Sequence, residues 1–122
     1  MPVPLYQAKA ELFKTLGHPV RIRVLELLCE GPKAVRDLLA AIEIEASSLS
    51  QQLAVLRRAG IVIAHRQGTT VVYELAGADV SELMRAARRI LTDLLADQGL
   101  LLDALQAAPA PADAEPRDRR SA

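Results

Sequence analysis

Apolar residues recur three and four positions apart along most of the chain, which predicts helices. Residues 6–16 form the first, with Leu5, Leu12, Phe13 and Leu16 on one face and Lys9, Glu11 and Lys14 off it. Gly17 is placed to stop that helix and Pro19 to open the next. The second helix, 19–30, carries Val20, Ile22, Val24, Leu25, Leu27 and Leu28 around much of its circumference, which predicts central burial. Gly31-Pro32 ends it. Residues 33–42 read as a short third helix, with Val35, Leu38, Leu39 and Ile42 at helical spacing. Glu43-Ile44-Glu45 reads as a turn, after which Ser47 or Ser48 is expected to cap a fourth helix reaching about residue 59, closed by Gly60.

Then the period changes. Residues 61–66 and 70–75 are short and β-branched, and Gln67-Gly68-Thr69 separates them, which predicts a hairpin. Asp79 or Ser81 opens a long helix to about residue 97, with Val80, Leu83, Met84, Ala87, Ile90, Leu91, Leu94 and Leu95 in register; Gly99 is placed to break it, and 100–105 offer another turn or two. From residue 108 the chain mixes Pro, Ala and charge without a large apolar residue, so 108–122 is expected to be a disordered tail and 1–107 the single domain.

The expected fold is therefore mainly α with a small β-hairpin. Two short helices flank a tight turn and a hairpin follows at once, which is the layout of a winged helix-turn-helix (α-α-α-α-β-β-α), whose second short helix enters the major groove of DNA. The fourth helix supports this. With Leu49 set at zero and steps of about 100° per residue, Leu53 and Leu56 fall within about 40° of it and form a buried stripe. Ser47, Gln51, Ala54 and Arg58 lie opposite, with Ser48 and Ser50 on the flanks. Hydroxyls and an amide can hydrogen-bond base edges or phosphates, and Ala54 lets the backbone approach closely. A solvated scaffold helix would more often carry Glu–Lys pairs there. The hairpin tip offers Arg66, Gln67 and Thr69 for backbone or minor-groove contact.

Composition refines this picture. Half of the 122 residues are apolar but only 2% are aromatic (Tyr6, Phe13 and Tyr73), so the core must be aliphatic. A formal net charge of zero at first argues against nucleic acid. Its distribution reverses that: residues 46–73 contain Arg57, Arg58 and Arg66 and no acid, a local +3. A basic face, not the net charge, meets phosphate. The single cysteine, Cys29, fits a reducing cytoplasm, and its place at the end of an apolar helix suits a small buried hydrophobe. No apolar run reaches the roughly 18 residues of a membrane span, and no signal peptide is expected.

Three segments together resemble the ArsR/SmtB family of repressors. They are Leu16-Gly17-His18-Pro19-Val20-Arg21-Ile22-Arg23-Val24-Leu25, then Ser47-Ser48-Leu49-Ser50-Gln51-Gln52-Leu53-Ala54-Val55-Leu56-Arg57-Arg58-Ala59-Gly60-Ile61-Val62, then Arg66-Gln67-Gly68-Thr69-Thr70-Val71-Val72-Tyr73. They look like that family's second helix, recognition helix and wing. The resemblance implies that Ser50 and Gln51 face the groove with Ser47 beside them. It also implies a homodimer joined through the first and last helices, and repression lifted by an inducer. Inducers in that family are usually metal ions. One family site uses Cys-x-Cys in the third helix, where this chain has Val35-Arg36-Asp37. Another uses Asp and His pairs on the last helix, where this chain has Asp79 and Glu82 and no histidine beyond position 65. Tetrahedral sites need clustered His and Cys, so neither family site is expected. A nickel or zinc inducer would need a non-family site, for which His18 and His65 are the candidates; otherwise no cofactor is expected.

The last helix offers more apolar surface than a lone domain can bury. Leu83, Ile90, Leu91 and Leu94, with Leu5, Leu12 and Phe13 of the first helix, are the expected dimer surface. A twofold dimer matches a palindromic duplex operator. Catalysis is not expected, because there is no phosphate loop, nucleophile elbow or paired carboxylate. The rival reading is a winged helix that binds protein instead of DNA, for which an apolar or acidic outer face on the fourth helix would be the mark.

Overall fold

The computed structural model describes residues 2–96; the run 100–105 and the expected tail at 108–122 lie outside them. The elements are α1 (Leu5–Leu16), α2 (Pro19–Leu28), β1 (Lys33–Ala34), α3 (Val35–Ala41), α4 (Ala46–Arg58), β2 (Val62–Gln67), β3 (Thr70–Leu75) and α5 (Ala78–Ala96). They fall into two units, one up to Ser81 and one beginning at Glu82.

In the first unit, Pro19 sits in the first turn of α2, where its missing N–H costs nothing. His18 caps this helix: its Nδ1 accepts the Val20 N–H at 3.2 Å. Val24, Leu25, Leu27 and Leu28 are all buried, as the dense apolar pattern predicts. The helix stops at Leu28, two residues short of expectation. Cys29, at the cap position, is half-buried rather than enclosed, because it lies beyond the last helical turn that the core covers.

Residues 33 and 34 are not the start of α3. They form a two-residue strand antiparallel to β3, pairing Lys33 with Tyr73 and Ala34 with Val72. The hairpin is thus part of a three-stranded sheet in the order β1-β3-β2. A strand this short carries no alternation to read, and its partner lies about forty positions away in the chain. β2 and β3 pair from Val62↔Leu75 to Gln67↔Thr70.

The core is aliphatic throughout: Leu16, Val24, Leu25, Leu27, Leu28, Ala34, Leu38, Ile42, Leu49, Leu53, Leu56, Ile61, Val62 and Val72. Each buried Leu or Val contributes about 1.5–3 kcal/mol. Every helix from α1 to α4 supplies part of it, which holds α4 firmly from behind. By contrast α1 buries only Leu16, leaving Leu5 69% and Phe13 56% exposed.

In the second unit, α5 is amphipathic and has no buried residue; Ile90, Leu91 and Leu94 are more than half exposed. Glu82 and Arg85 pair at 2.9 Å one turn apart. No helix among the described residues is long and apolar enough to cross a membrane.

Candidate nucleic-acid interface

The stripe expected on α4 is present. Leu49, Leu53 and Leu56 are essentially inaccessible, while Ser47, Ser48, Ser50, Gln51, Arg57 and Arg58 are exposed and Ala54 is half-buried. The capping expectation is corrected. The first helical bond, from Leu49 N–H, is accepted by the Glu45 carbonyl, so Glu45 is the N-cap and its side chain makes no cap bond. Ser47 and Ser48 therefore lie inside the first turn with their hydroxyls outward, not engaged in capping.

The end of α4 is built by Gly60. Its φ of +79° allows Gly60 N–H to reach the Arg57 carbonyl and Ile61 N–H the Leu56 carbonyl, both at 3.0 Å. These two bonds make a Schellman motif, and the buried pair Leu56 and Ile61 is its hydrophobic contact. The motif turns the chain directly from α4 into β2, which fixes the wing next to the helix.

Across the sheet, β2 and β3 are joined by Gly68-Thr69 alone. Gly68 has φ +67° at the first loop position, the pattern of a tight type II′ turn. Arg66, Gln67 and Thr69 are exposed at this tip. His65 and Glu74 approach diagonally across the strands at 3.6 Å, an ion pair only when the imidazole is protonated. Between the wing and the start of α3 lies an open cleft of about 320 Å³ lined by Arg36, Asp37, Gln67 and Thr70 among others. Arg36 is an exposed cation at the site that sequence reasoning left out, because only β1 brings the start of α3 beside the wing.

Among the described residues, none of Arg57, Arg58 and Arg66 pairs with a carboxylate. Two cations outside this surface are paired: Arg23 with Glu26 at 3.1 Å, and Lys33 with Glu30 at 3.2 Å. Exposed, unpaired cations beside outward hydroxyls and an amide form a surface suited to phosphate and base edges.

A second link positions α4. Arg21 Nε donates to Gln52 Oε1 at 2.8 Å, and Arg21 Nη1 donates to the Thr15 carbonyl at 2.7 Å. No sequence signal connects these residues, since Arg21 and Gln52 lie 31 positions apart.

The metal candidates do not converge. His18 already spends Nδ1 on the cap, and His65 faces a single carboxylate. Among the described residues no three His, Cys, Asp or Glu side chains gather in a group able to hold a metal. On the expected dimer surface, Leu5, Leu12, Phe13, Ile90, Leu91 and Leu94 are exposed, while Leu83 is half-buried.

Residues 18–64 match the pattern of the bacterial regulatory protein, arsR family. The HTH-type transcriptional regulator Rv0081 of Mycobacterium tuberculosis is 50% identical over 105 residues, covering 85% of this chain and 92% of that protein. Its crystal structure superposes with a TM-score of 0.73, covering 80% of this chain and 98% of that chain. The transcriptional repressor BigR of Xylella fastidiosa is 40% identical with a TM-score of 0.66, covering 70% of this chain and 87% of that chain. The homodimeric winged helix-turn-helix DNA-binding domain Mb0332 of Mycobacterium bovis, solved by NMR, is 32% identical with a TM-score of 0.61, covering 79% and 84%.

Proposed function

The chain belongs to the arsR family of bacterial regulatory proteins, and from that premise we propose a cytoplasmic repressor that binds a palindromic operator as a homodimer and leaves it when an inducer binds. It is a DNA-binding transcriptional regulator with a winged helix-turn-helix fold. The observation that carries the fuller reading is the outer face of α4 and the wing, where Ser47, Ser50 and Gln51 stand beside Arg57, Arg58 and Arg66, with which no described carboxylate pairs.

In this reading α4 enters the major groove. Ser47, Ser48, Ser50, Gln51 and Ala54 meet base edges and nearby phosphates, while Arg57, Arg58 and Arg66 neutralise phosphate. Gln67 and Thr69 hold the wing on the flanking backbone. The exposed apolar residues of α1, and separately those of α5, are buried against a second copy. Two copies related by a twofold axis place their α4 helices about one DNA turn apart, which is the reason for a palindrome. The inducer is not a metal at either of the family sites noted above, whose ligand residues this chain lacks. A nickel or zinc ion would have to use His18 or His65 with ligands drawn from elsewhere.

The test is fluorescence anisotropy of the purified protein on its own promoter duplex, alone and with zinc, nickel, cobalt or an oxidant. Tight, sequence-selective binding abolished by one additive supports a repressor and identifies its signal class. Selective binding indifferent to all of them excludes those inducers and leaves a small molecule or constitutive control. Failure to select any sequence from a random duplex pool overturns the operator reading.

A further inference from the structure

Arg21 stands half-buried on α2 with its guanidinium between two other helices. Nε donates to the side-chain oxygen of Gln52 on α4, and Nη1 donates to the carbonyl of Thr15 in the last turn of α1. No described carboxylate pairs with it. A surface arginine with no structural task would be solvated or would pair with an acid. This one spends a rigid, planar fork on two uncharged acceptors from different elements. Charge-assisted bonds at 2.7 and 2.8 Å are short and directional.

Gln52 lies at the edge of the buried stripe of α4, about 60° from Leu49 by helical geometry, and is half-buried. The leucine stripe presses α4 onto the core, but apolar contact is non-directional and tolerates small rotations about the helix axis. A single directional bond beside the stripe removes that freedom. Gln51, the next residue, faces solvent. Any rotation of α4 that lengthens the Arg21–Gln52 bond swings Gln51 and Ser47 by the same angle.

We propose that Arg21 is a positioning residue that sets the rotation of α4 through Gln52 and ties that setting to the end of α1 through the Thr15 carbonyl. Selective DNA binding then depends on a side chain that does not touch DNA, and strain in α1 reaches the groove-facing residues through one guanidinium. This rests on α4 being the helix that enters the groove.

The experiment uses the full chain, a duplex selected by the wild-type protein from a random pool, and an unselected duplex of equal length. The variants are Q52L, Q52E, R21A and R21A/Q52L. Q52L keeps the size but removes the acceptor, and should weaken binding to the selected duplex about tenfold, in keeping with the loss of one charge-assisted bond. Binding to the unselected duplex, which depends on cations, should not change. Q52E offers a carboxylate oxygen to the same Nε–H and should restore selectivity. R21A/Q52L should be no weaker than R21A alone. Amide hydrogen exchange on the free proteins gives an independent reading. In R21A, exchange should quicken both in α4 and in the last turn of α1; in Q52L it should quicken in α4 only.

Equal loss on both duplexes, or losses in R21A and Q52L that multiply, would overturn the proposal. If the wild-type protein selects no sequence, the DNA reading fails and the exchange data alone decide: unchanged α4 amides in Q52L sink the brace, and quickened ones uphold it.

Discussion

Gln51 and Gln52 are adjacent in the chain and point about 100° apart around α4. One faces solvent and the other accepts a hydrogen bond from Arg21. Replacing Gln51 with Ala should therefore leave stability nearly untouched while lowering specific affinity by about 1–3 kcal/mol and relaxing base preference at one operator position. A binding-site selection with the variant checks this; an unaltered preference would remove Gln51 from readout. Arg66 offers charge without fixed geometry. Its replacement by Ala should weaken binding to most sequences and flatten the salt dependence by about one unit, measured as the slope of log affinity against log salt. Of these side chains, the helical wheel disclosed the outward set and the leucines opposite. Arg21 and Arg36 were not legible, because their roles come from residues or strands distant in sequence.

At the scale of elements, α4 shows why pattern reading succeeds. Its period puts three leucines on one side, and all three are buried. Leu53→Ala should cost about 2–5 kcal/mol, read as a drop in the urea midpoint, because the cavity would open between α4 and the core. A cost under about 0.5 kcal/mol, the range of ordinary surface positions, would contradict the burial. Element boundaries were less legible. Serines before an apolar-periodic run look like caps, yet Glu45 takes that position, since where the first backbone bond closes depends on how the chain leaves Ile42. Likewise β1 is invisible locally: two residues become a strand only because β3 presents an edge to them.

For the whole molecule, the informative feature is apolar surface that the described chain leaves uncovered. Phe13 and Leu5 on α1, and Ile90, Leu91 and Leu94 on α5, are each about half exposed or more. On the proposed homodimer, Phe13→Asp should separate the two copies in sedimentation velocity while helical circular dichroism persists, because Phe13 is not in the core. Affinity for the proposed palindromic operator should then fall on the order of 100-fold, since its two half-sites would no longer be bound by one linked ligand. A variant that remains dimeric would exclude the α1 surface from the interface.

Periodicity and glycine and proline placement were enough to determine the helical order, the hairpin, the aliphatic core and which face of α4 is polar and exposed. These are local or short-range properties, set by which side of a helix or strand each side chain occupies. Tertiary structure alone decided that the sheet has a third strand, that Arg36 stands beside the wing, that Cys29 is only half covered and that Arg21 joins α1 to α4. Each of those depends on contacts between residues separated by a turn of the fold, and such contacts leave no periodic trace in the sequence.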